Sequence, residues 1–343
     1  MQDFNNFLET IAQESGAASV CCLDLNSPQL QEALKANKKA VASWLDEGYG
    51  ADMDYLVRML DDKVDLQKTF PGAQSALVIT FTNKWGADDA VHPFPEPTEG
   101  ALLGYISGYA KEQDYHRTGH QILSQMGEQL NSVYGESENS ACVDTKPVFE
   151  RFLAQYGGLG IWAPNDLIRT PENDVRAFIG TLFTEHKLPE IIKQPEFPFP
   201  CHFCRACEKR GCPTGAITEG EPFDARLCIS YLSIEKKGLL NKQDRDLMED
   251  WLFGCDWCSV VCPPKEKVDR RIPIDLEWLL KSSAGSIRRL MKGSAVEYAG
   301  VQKLRRNAIA ILRKSEDPRA EELLDWCRQN MQSELLLQQI DCD

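Results

Sequence analysis

The chain has 343 residues, 43% hydrophobic and 26% charged, a balance that excludes disorder and a small cysteine-stapled scaffold. Its 38 basic and 52 acidic residues leave a formal net charge of −14, so the chain as a whole is repelled by nucleic acid and anionic membranes unless its cations are gathered on one face. No apolar run nears the roughly 18 residues of a membrane helix, and the first residues lack the basic and apolar regions of a secretion signal, which points to the cytoplasm and to no membrane partner.

Taken in order, Asp3 to Gln13 reads as a helix and Ala17 to Leu23 as an apolar run. Helical spacing continues from Gln29 to Leu60, broken at Gly48 and Gly50, and Ala73 to Phe81 reads as a buried strand after the Pro71-Gly72 turn. Asn83 to Gly100, with three prolines, reads as a loop. A helix over Asp114 to Tyr134, a short strand ending at Ala141 to Val143, a helix over Pro147 to Tyr156 with proline in its first turn, and a strand over Ala177 to Thr184 follow. The proline-rich stretch Lys193 to Pro200 reads as a linker. Beyond Pro264, helices are expected over Leu276 to Lys281, Ser286 to Tyr298, Val301 to Lys314 and Pro318 to Gln332. The fold class is therefore α+β: an N-terminal α/β domain over 1–195, a cysteine-rich domain over 196–268 and a helical unit over 269–343.

Cysteine is the outlying residue. Of 13, eight fall between Cys201 and Cys262, in the groups Cys201-x2-Cys204-x2-Cys207-x4-Cys212-Pro213 and Cys255-x2-Cys258-x3-Cys262-Pro263, with Cys228 between them. A tight C-x2-C-x2-C loop supplies three thiolates to a four-iron cubane. In two-cluster ferredoxins the cysteine before proline serves the other cluster. That crossing rule gives Cys201, Cys204, Cys207 and Cys262 to one 4Fe-4S cluster, and Cys212, Cys228, Cys255 and Cys258 to a second. Paired C-x2-C units also make zinc ribbons, but the third cysteine and the Cys-Pro dipeptides favour iron and sulfide. Four residues, Glu208 to Gly211, precede Cys212 where ferredoxin loops usually have three, and Gly211 is expected to absorb the extra one. Cys21, Cys22, Cys142, Cys327 and Cys342 lack ligand spacing and read as small apolar residues or incidental thiols. Two adjacent clusters form an electron wire, and the roughly 200 residues before them are expected to hold the chemistry it feeds.

At this point the chain resembles the tRNA epoxyqueuosine reductases, cobalamin-dependent iron-sulfur enzymes of queuosine biosynthesis. The resemblance is carried by GYGADMDYLVR (48–58), FPGAQSALVITFTN (70–83), YAKEQDYH (109–116), VDTKPVFER (143–151), GGLGIW (157–162), FTE (183–185), CPTGAI (212–217), DARLCISYLSIEKKG (224–238), FGCDWCSVVCP (253–263) and KGSAVEYAGVQKLRRNAIAIL (292–312). It implies two 4Fe-4S clusters with the crossed cysteine allocation, and cobalamin. It implies a catalytic acid at Asp144 in the Val-Asp-Thr motif, and corrin-pocket residues at Arg58, Tyr109, Asp114, His116, Ser230 and Tyr231. The expected partners are tRNA with GUN anticodons and an external low-potential electron donor, and the expected state is a monomer. A carboxylic acid that protonates an epoxide oxygen near neutral pH needs a pKa raised by burial or like charge, and Asp144 after the apolar Val143 suits that. A helix N-cap is the ordinary alternative for Asp144. The Asp-x-His-x-x-Gly corrin motif is missing. Two departures fall in the expected pocket: Gly160-Ile161-Trp162-Ala163-Pro164 replaces the family's Gly-Trp-x-Gly-Lys, and Asp174-Val175 replaces a common Gly-Ser pair.

Between Gly285 and Lys314 stand eight basic residues, Arg288, Arg289, Lys292, Lys303, Arg305, Arg306, Arg313 and Lys314, against the single acid Glu297. This reversal of the overall charge predicts a phosphate-docking face with Arg305 and Arg306 among its contacts, and the resemblance implies that this stretch is a small HEAT-like helical unit that binds tRNA. Two other readings are a reductive dehalogenase-like corrinoid enzyme and a non-catalytic iron-sulfur electron-transfer protein.

Overall fold

A computed structural model describes residues 2–82, 94–111, 113–197, 200–262 and 271–342. The expected loop from Asn83 falls largely outside the described residues, as do part of the linker, Pro263 and the boundary expected at 268. The strands in chain order are β1 Ser19–Asp24, β2 Ser75–Phe81, β3 Leu103–Ile106, β4 Asn139–Cys142, β5 Ile161–Trp162, β6 Ile168–Arg169, β7 Phe178–Thr184, β8 Trp251–Phe253 and β9 Ile272–Asp275. The chain folds into two compact units.

The first unit comprises Met1–Asn83, Tyr115–Ala206 and Cys262–Lys265. Its sheet has the order β1-β2-β7-β4 and is antiparallel throughout, so this part is α+β and not the α/β arrangement expected for 1–195. Both faces of the sheet are covered. Phe4, Leu8, Leu123, Met126 and Leu130, from the helices Gln2–Ser15 and Tyr115–Tyr134, pack with Val20, Cys22, Leu77 and Ile79. On the opposite face Leu30, Leu34, Leu66 and Leu153 pack with Cys21, Leu23, Ala76 and Val78. This is why β1 and β2 read as unbroken apolar runs instead of alternating ones, and why Cys21 and Cys22 are both buried: neighbours on a strand face opposite layers. Gly158 is required at its position, because its φ is +72° and a Cβ there would overlap the Lys193 carbonyl oxygen.

The second unit comprises Lys84–Asp114, Cys207–Val261 and Glu266–Asp343. The order along the chain expected from the sequence differs from this division, because β3 lies between β8, parallel to it, and β9, antiparallel. A segment from the first third of the chain thus shares a sheet with strands flanking the second cysteine group. The helix Gly300–Leu312 is buried nearly all round by the helices Leu276–Lys281, Ala284–Met291, Pro318–Asn330 and Glu334–Asp341. The helix expected over Ser286 to Tyr298 stops at Met291. Gly293 takes a φ of +81°, its N–H donates to the Glu297 carboxylate at 2.9 Å, and a short 3-10 turn, Ala295–Tyr298, follows.

Arg306 corrects the expected docking face. It is 1% exposed, and its guanidinium donates to the carbonyls of Leu232, Lys236 and Gly238 and to Asn307 Oδ1. Asn307 donates in turn to the carbonyls of Ser233 and Leu252, each at 2.8 Å. Arg305 is half-buried and donates to Leu279 and Ser282 carbonyls, and Lys303 donates to that of Ile234. These cations therefore serve the interior, where backbone oxygens meet their charge, and not an open phosphate-binding face. Arg306→Ala should lower the unfolding free energy by about 3 kcal/mol or more, because several buried carbonyls are left without a donor. Arg288→Ala, on an exposed residue, should stay within about 0.5 kcal/mol. Denaturant unfolding of both variants checks this.

Candidate active site

The eight clustered cysteines are all half-buried and none forms a disulfide. Cys201 and Cys204 lie on one turn of helix, Cys201–Cys204, which ends in a left-handed Arg205 with φ +48°. Cys207–Gly211 is a π-helical turn in which the Cys212 N–H donates to the Cys207 carbonyl at 2.9 Å. A π turn takes up one more residue than an α turn, and this accommodates the four-residue spacing before Cys212. Gly211 acts by closeness, not by unusual φ: a Cβ there would come within 2.8 Å of Val261 and 3.0 Å of the Cys258 Cα. A second π-helical turn, Tyr231–Glu235, follows Cys228 and Ser230.

Electrostatics sort the thiols into two sets. Burial pushes the Cys262 thiol up to about 11, the Arg169 cation opposes this, and Asp174, Cys201 and Cys204 raise it further. Arg169, 2% exposed, also donates to Cys201 Sγ at 3.8 Å. Burial likewise raises Cys255, the Trp257 N–H lowers it, and Cys258 and Cys228 raise it again. So Cys262 keeps company with Cys201 and Cys204, and Cys255 with Cys258 and Cys228. Among the described residues no three His, Cys, Asp or Glu side chains converge as they would on a single ion. Soft thiolates in two such sets suit iron-sulfur cubanes. The isolated Cys21, Cys22, Cys142 and Cys327 are buried.

Asp256, between Cys255 and Cys258, is 2% exposed and accepts hydrogen bonds from the Ser107 hydroxyl and, at 2.7 Å, from the Gly108 N–H. Gly254, φ +70°, lets this segment approach Ser107 and Tyr109. Of the expected corrin-pocket residues, Tyr109, Asp114, Ser230 and Tyr231 belong to the second unit, and Arg58 and His116 to the first. Tyr109 is half-buried near the Phe253 ring, Tyr231 is 6% exposed, and Arg58 is exposed. Within the second unit, the hydroxyls of Tyr109, Ser230 and Tyr231 and the carboxylate of Asp114 are groups of the kind that hydrogen-bond to the side-chain amides of a corrin.

Asp144 departs from expectation, since it is exposed. It is not a helix cap either. The helix starts at Glu150, with Phe149 before it, leaving Pro147 outside. Asp144 takes a left-handed φ of +51°. Its Oδ2 accepts from the Tyr115 hydroxyl at 2.8 Å, and its N–H donates to both Glu150 oxygens, at 2.9 and 3.1 Å. Tyr115 is itself stacked between His116 and Phe178, with ring centroids 4.1 and 4.4 Å away. Left-handed backbone costs a non-glycine residue about 1–3 kcal/mol, and an intramolecular hydrogen bond contributes about 0.5–1.5 kcal/mol, so the Glu150 contact offsets a large part of the cost of the turn. Glu150 is the carboxyl raised by its surroundings, to about 7, chiefly by burial and then by the Asp144 charge. Sequence reading passed over Glu150 and Arg169. Glu150 left a signal, an acid six residues after Asp144 at a helix start; Arg169 left none.

The two departures have local explanations. Trp162 lies in the β5–β6 hairpin, donates to Asp166 at 2.8 Å and lies beneath the Arg151 guanidinium. Asp174 has φ +55°, a conformation glycine adopts freely, and here it pairs with Arg176 at 3.0 Å.

Two family models match: one described as a 4Fe-4S double cluster binding domain, over residues 200–265, and one described as epoxyqueuosine reductase QueG, over 63–145. The epoxyqueuosine reductase of Vibrio cholerae is 30% identical over 347 residues, covering 98% of this chain and 89% of that protein. The fold matches a structure of epoxyqueuosine reductase from Streptococcus thermophilus with a TM-score of 0.80 at 19% identity, covering 97% of this chain and 87% of that one. It also matches an epoxyqueuosine reductase crystallised with an epoxyqueuosine-modified tRNA-Tyr stem loop, with a TM-score of 0.74 at 20% identity, covering 99% and 97%.

Folding should hold more Glu150 protonated than the unfolded chain does between pH 4.5 and about 7. The stability of the wild type relative to Glu150→Gln should therefore be greatest below pH 4.5, fall as pH rises through that window, and level off above it. Parallel thermal unfolding across pH tests this; a difference independent of pH would contradict it.

Proposed function

Because this chain belongs to the epoxyqueuosine reductase family, we propose that its substrate is epoxyqueuosine at the wobble position of tRNA with GUN anticodons and its product queuosine, with electrons drawn from an external low-potential donor. The chain is an oxidoreductase with a double 4Fe-4S domain. One observation carries the assignment of the acid: an exposed carboxylate, Asp144, is fixed through its side chain by Tyr115 and through its backbone by Glu150. The dehalogenase-like and electron-transfer readings are not favoured by a likeness that runs over nearly the whole chain.

Turning an epoxide into an alkene removes one oxygen as water and consumes two electrons and two protons. Cys201, Cys204, Cys207 and Cys262 would hold one cluster, Cys212, Cys228, Cys255 and Cys258 the other, and Arg58, Tyr109, Asp114, His116, Ser230 and Tyr231 would line the corrin. When bound, the clusters and cobalamin supply the electrons. The protons are the task of the chain itself. Asp144 delivers one to the departing oxygen, Tyr115 fixes the direction of the carboxyl group, and solvent reaching the exposed Asp144 supplies the second proton, which completes the departing water, and reprotonates the acid between turnovers.

For tRNA docking, once Lys303, Arg305 and Arg306 are set aside, together with the half-buried Arg313, which donates to the Cys342 carbonyl, and Lys314, which pairs with Asp250, there remain Arg288, Arg289 and Lys292, all exposed at the end of the helix Ala284–Met291. No helix among the described residues is long and apolar enough to cross a membrane.

Asp144→Asn should lower kcat by about 100-fold or more while leaving tRNA affinity unchanged, as read from single-turnover kinetics and filter binding. The triple alanine variant of Arg288, Arg289 and Lys292 should weaken tRNA binding and reduce the slope of log K against log salt by about 3, one for each phosphate deprived of its cation. An unchanged slope would remove this helix from the interface.

A further inference from the structure

We propose that Glu150 is a positioning residue for the reaction: its carboxyl group, accepting the Asp144 N–H, holds the backbone of that residue in the left-handed conformation from which the side chain meets Tyr115. The inference rests on the reading of Asp144 as the acid.

Three observations support it. Glu150 opens the helix Glu150–Tyr156, whose residues Leu153 and Ala154 are buried in the core, so its carboxyl group projects from a fixed base. Both of its oxygens lie within hydrogen-bond distance of a single backbone N–H, that of the residue with the positive φ. On the other side, Tyr115 is immobilised between two rings and offers its hydroxyl to the Asp144 carboxylate. Asp144 is thus held at two points, by an acceptor beneath its backbone and a donor beside its side chain. The groups facing Glu150 are Asp144, the Cys142 thiol at 3.5 Å and the Lys63 ammonium, which itself donates to the Val148 carbonyl at 3.0 Å. Lys63 therefore secures the far end of the same loop. An exposed aspartate flanked by Thr145, Lys146 and Pro147 has no regular structure of its own to define its place, so these contacts define it.

The clasp needs an acceptor oxygen at the length of a glutamate side chain. Glu150→Gln keeps one there, and Glu150→Ala does not. Hydrogen exchange of a peptide that begins before residue 142 and runs to 149 reports the Asp144 amide and needs no loaded cofactor. Glu150→Ala should accelerate that exchange and lower kcat by about tenfold or more, with KM for tRNA unchanged. Glu150→Gln should restore both slow exchange and most of kcat. Wild-type exchange in Glu150→Ala would overturn the proposal, and so would fast exchange in Glu150→Gln. If Glu150→Ala does not fold, the glutamine variant alone decides. The reading of Asp144 fails separately: Asp144→Asn with full turnover would dismiss the acid, whatever the exchange at position 150 shows.

Discussion

One buried dipeptide, Arg306-Asn307, constrains the second unit. A π-helical turn and the irregular chain after it leave carbonyl oxygens that regular hydrogen bonding does not take up, and an unmet buried carbonyl costs about 1–3 kcal/mol. Arg306 donates to the carbonyls of Leu232, Lys236 and Gly238; Asn307 donates to those of Ser233 and Leu252. Two adjacent side chains thereby fasten the segment after Cys228 to the strand before Cys255. The relative placement of two cysteine-bearing segments follows from a helix that contributes no cysteine of its own to them.

The loop around Asp144 divides two requirements between two acids. The carboxyl group with the raised pKa is Glu150, which is screened from solvent and committed to a backbone N–H. The carboxylate open to solvent is Asp144. Sequence reasoning placed the shielded carboxyl group at Asp144, since a proton donor near neutral pH is expected to be buried. Separating them lets the reactive group exchange protons with water while the shielded one keeps the backbone in place.

Much of the first unit was legible because its strands and amphipathic helices carry strong periodic signals: Ser75–Phe81 and Phe178–Thr184 stand out as apolar runs, and Tyr115–Tyr134 as a helix with one buried face. Sheet polarity was not legible, since β1 and β2 look alike whether their neighbours run parallel or antiparallel. The short strands β3, β8 and β9 escaped because three or four residues carry no usable period. Cysteine spacing pointed to two cubanes, while the π turn that accommodates the extra residue before Cys212 depends on backbone hydrogen bonding that spacing does not reveal. Charge was the most misleading signal. Arg306 reads as a surface cation and is almost wholly buried, because neighbouring carbonyls that the sequence does not display meet its charge.

The pairing of β3 with β8 and β9 has a consequence for how the protein is made. Leu103–Ile106 leaves the ribosome well before Trp251–Phe253 and Ile272–Asp275, its partners in the sheet. Gln339 then exchanges two hydrogen bonds with the backbone of Leu240. Contacts of such sequence separation form late, so nascent Cys212, Cys228, Cys255 and Cys258 emerge on a unit that cannot yet close. Closure of that unit therefore waits until translation has passed residue 339.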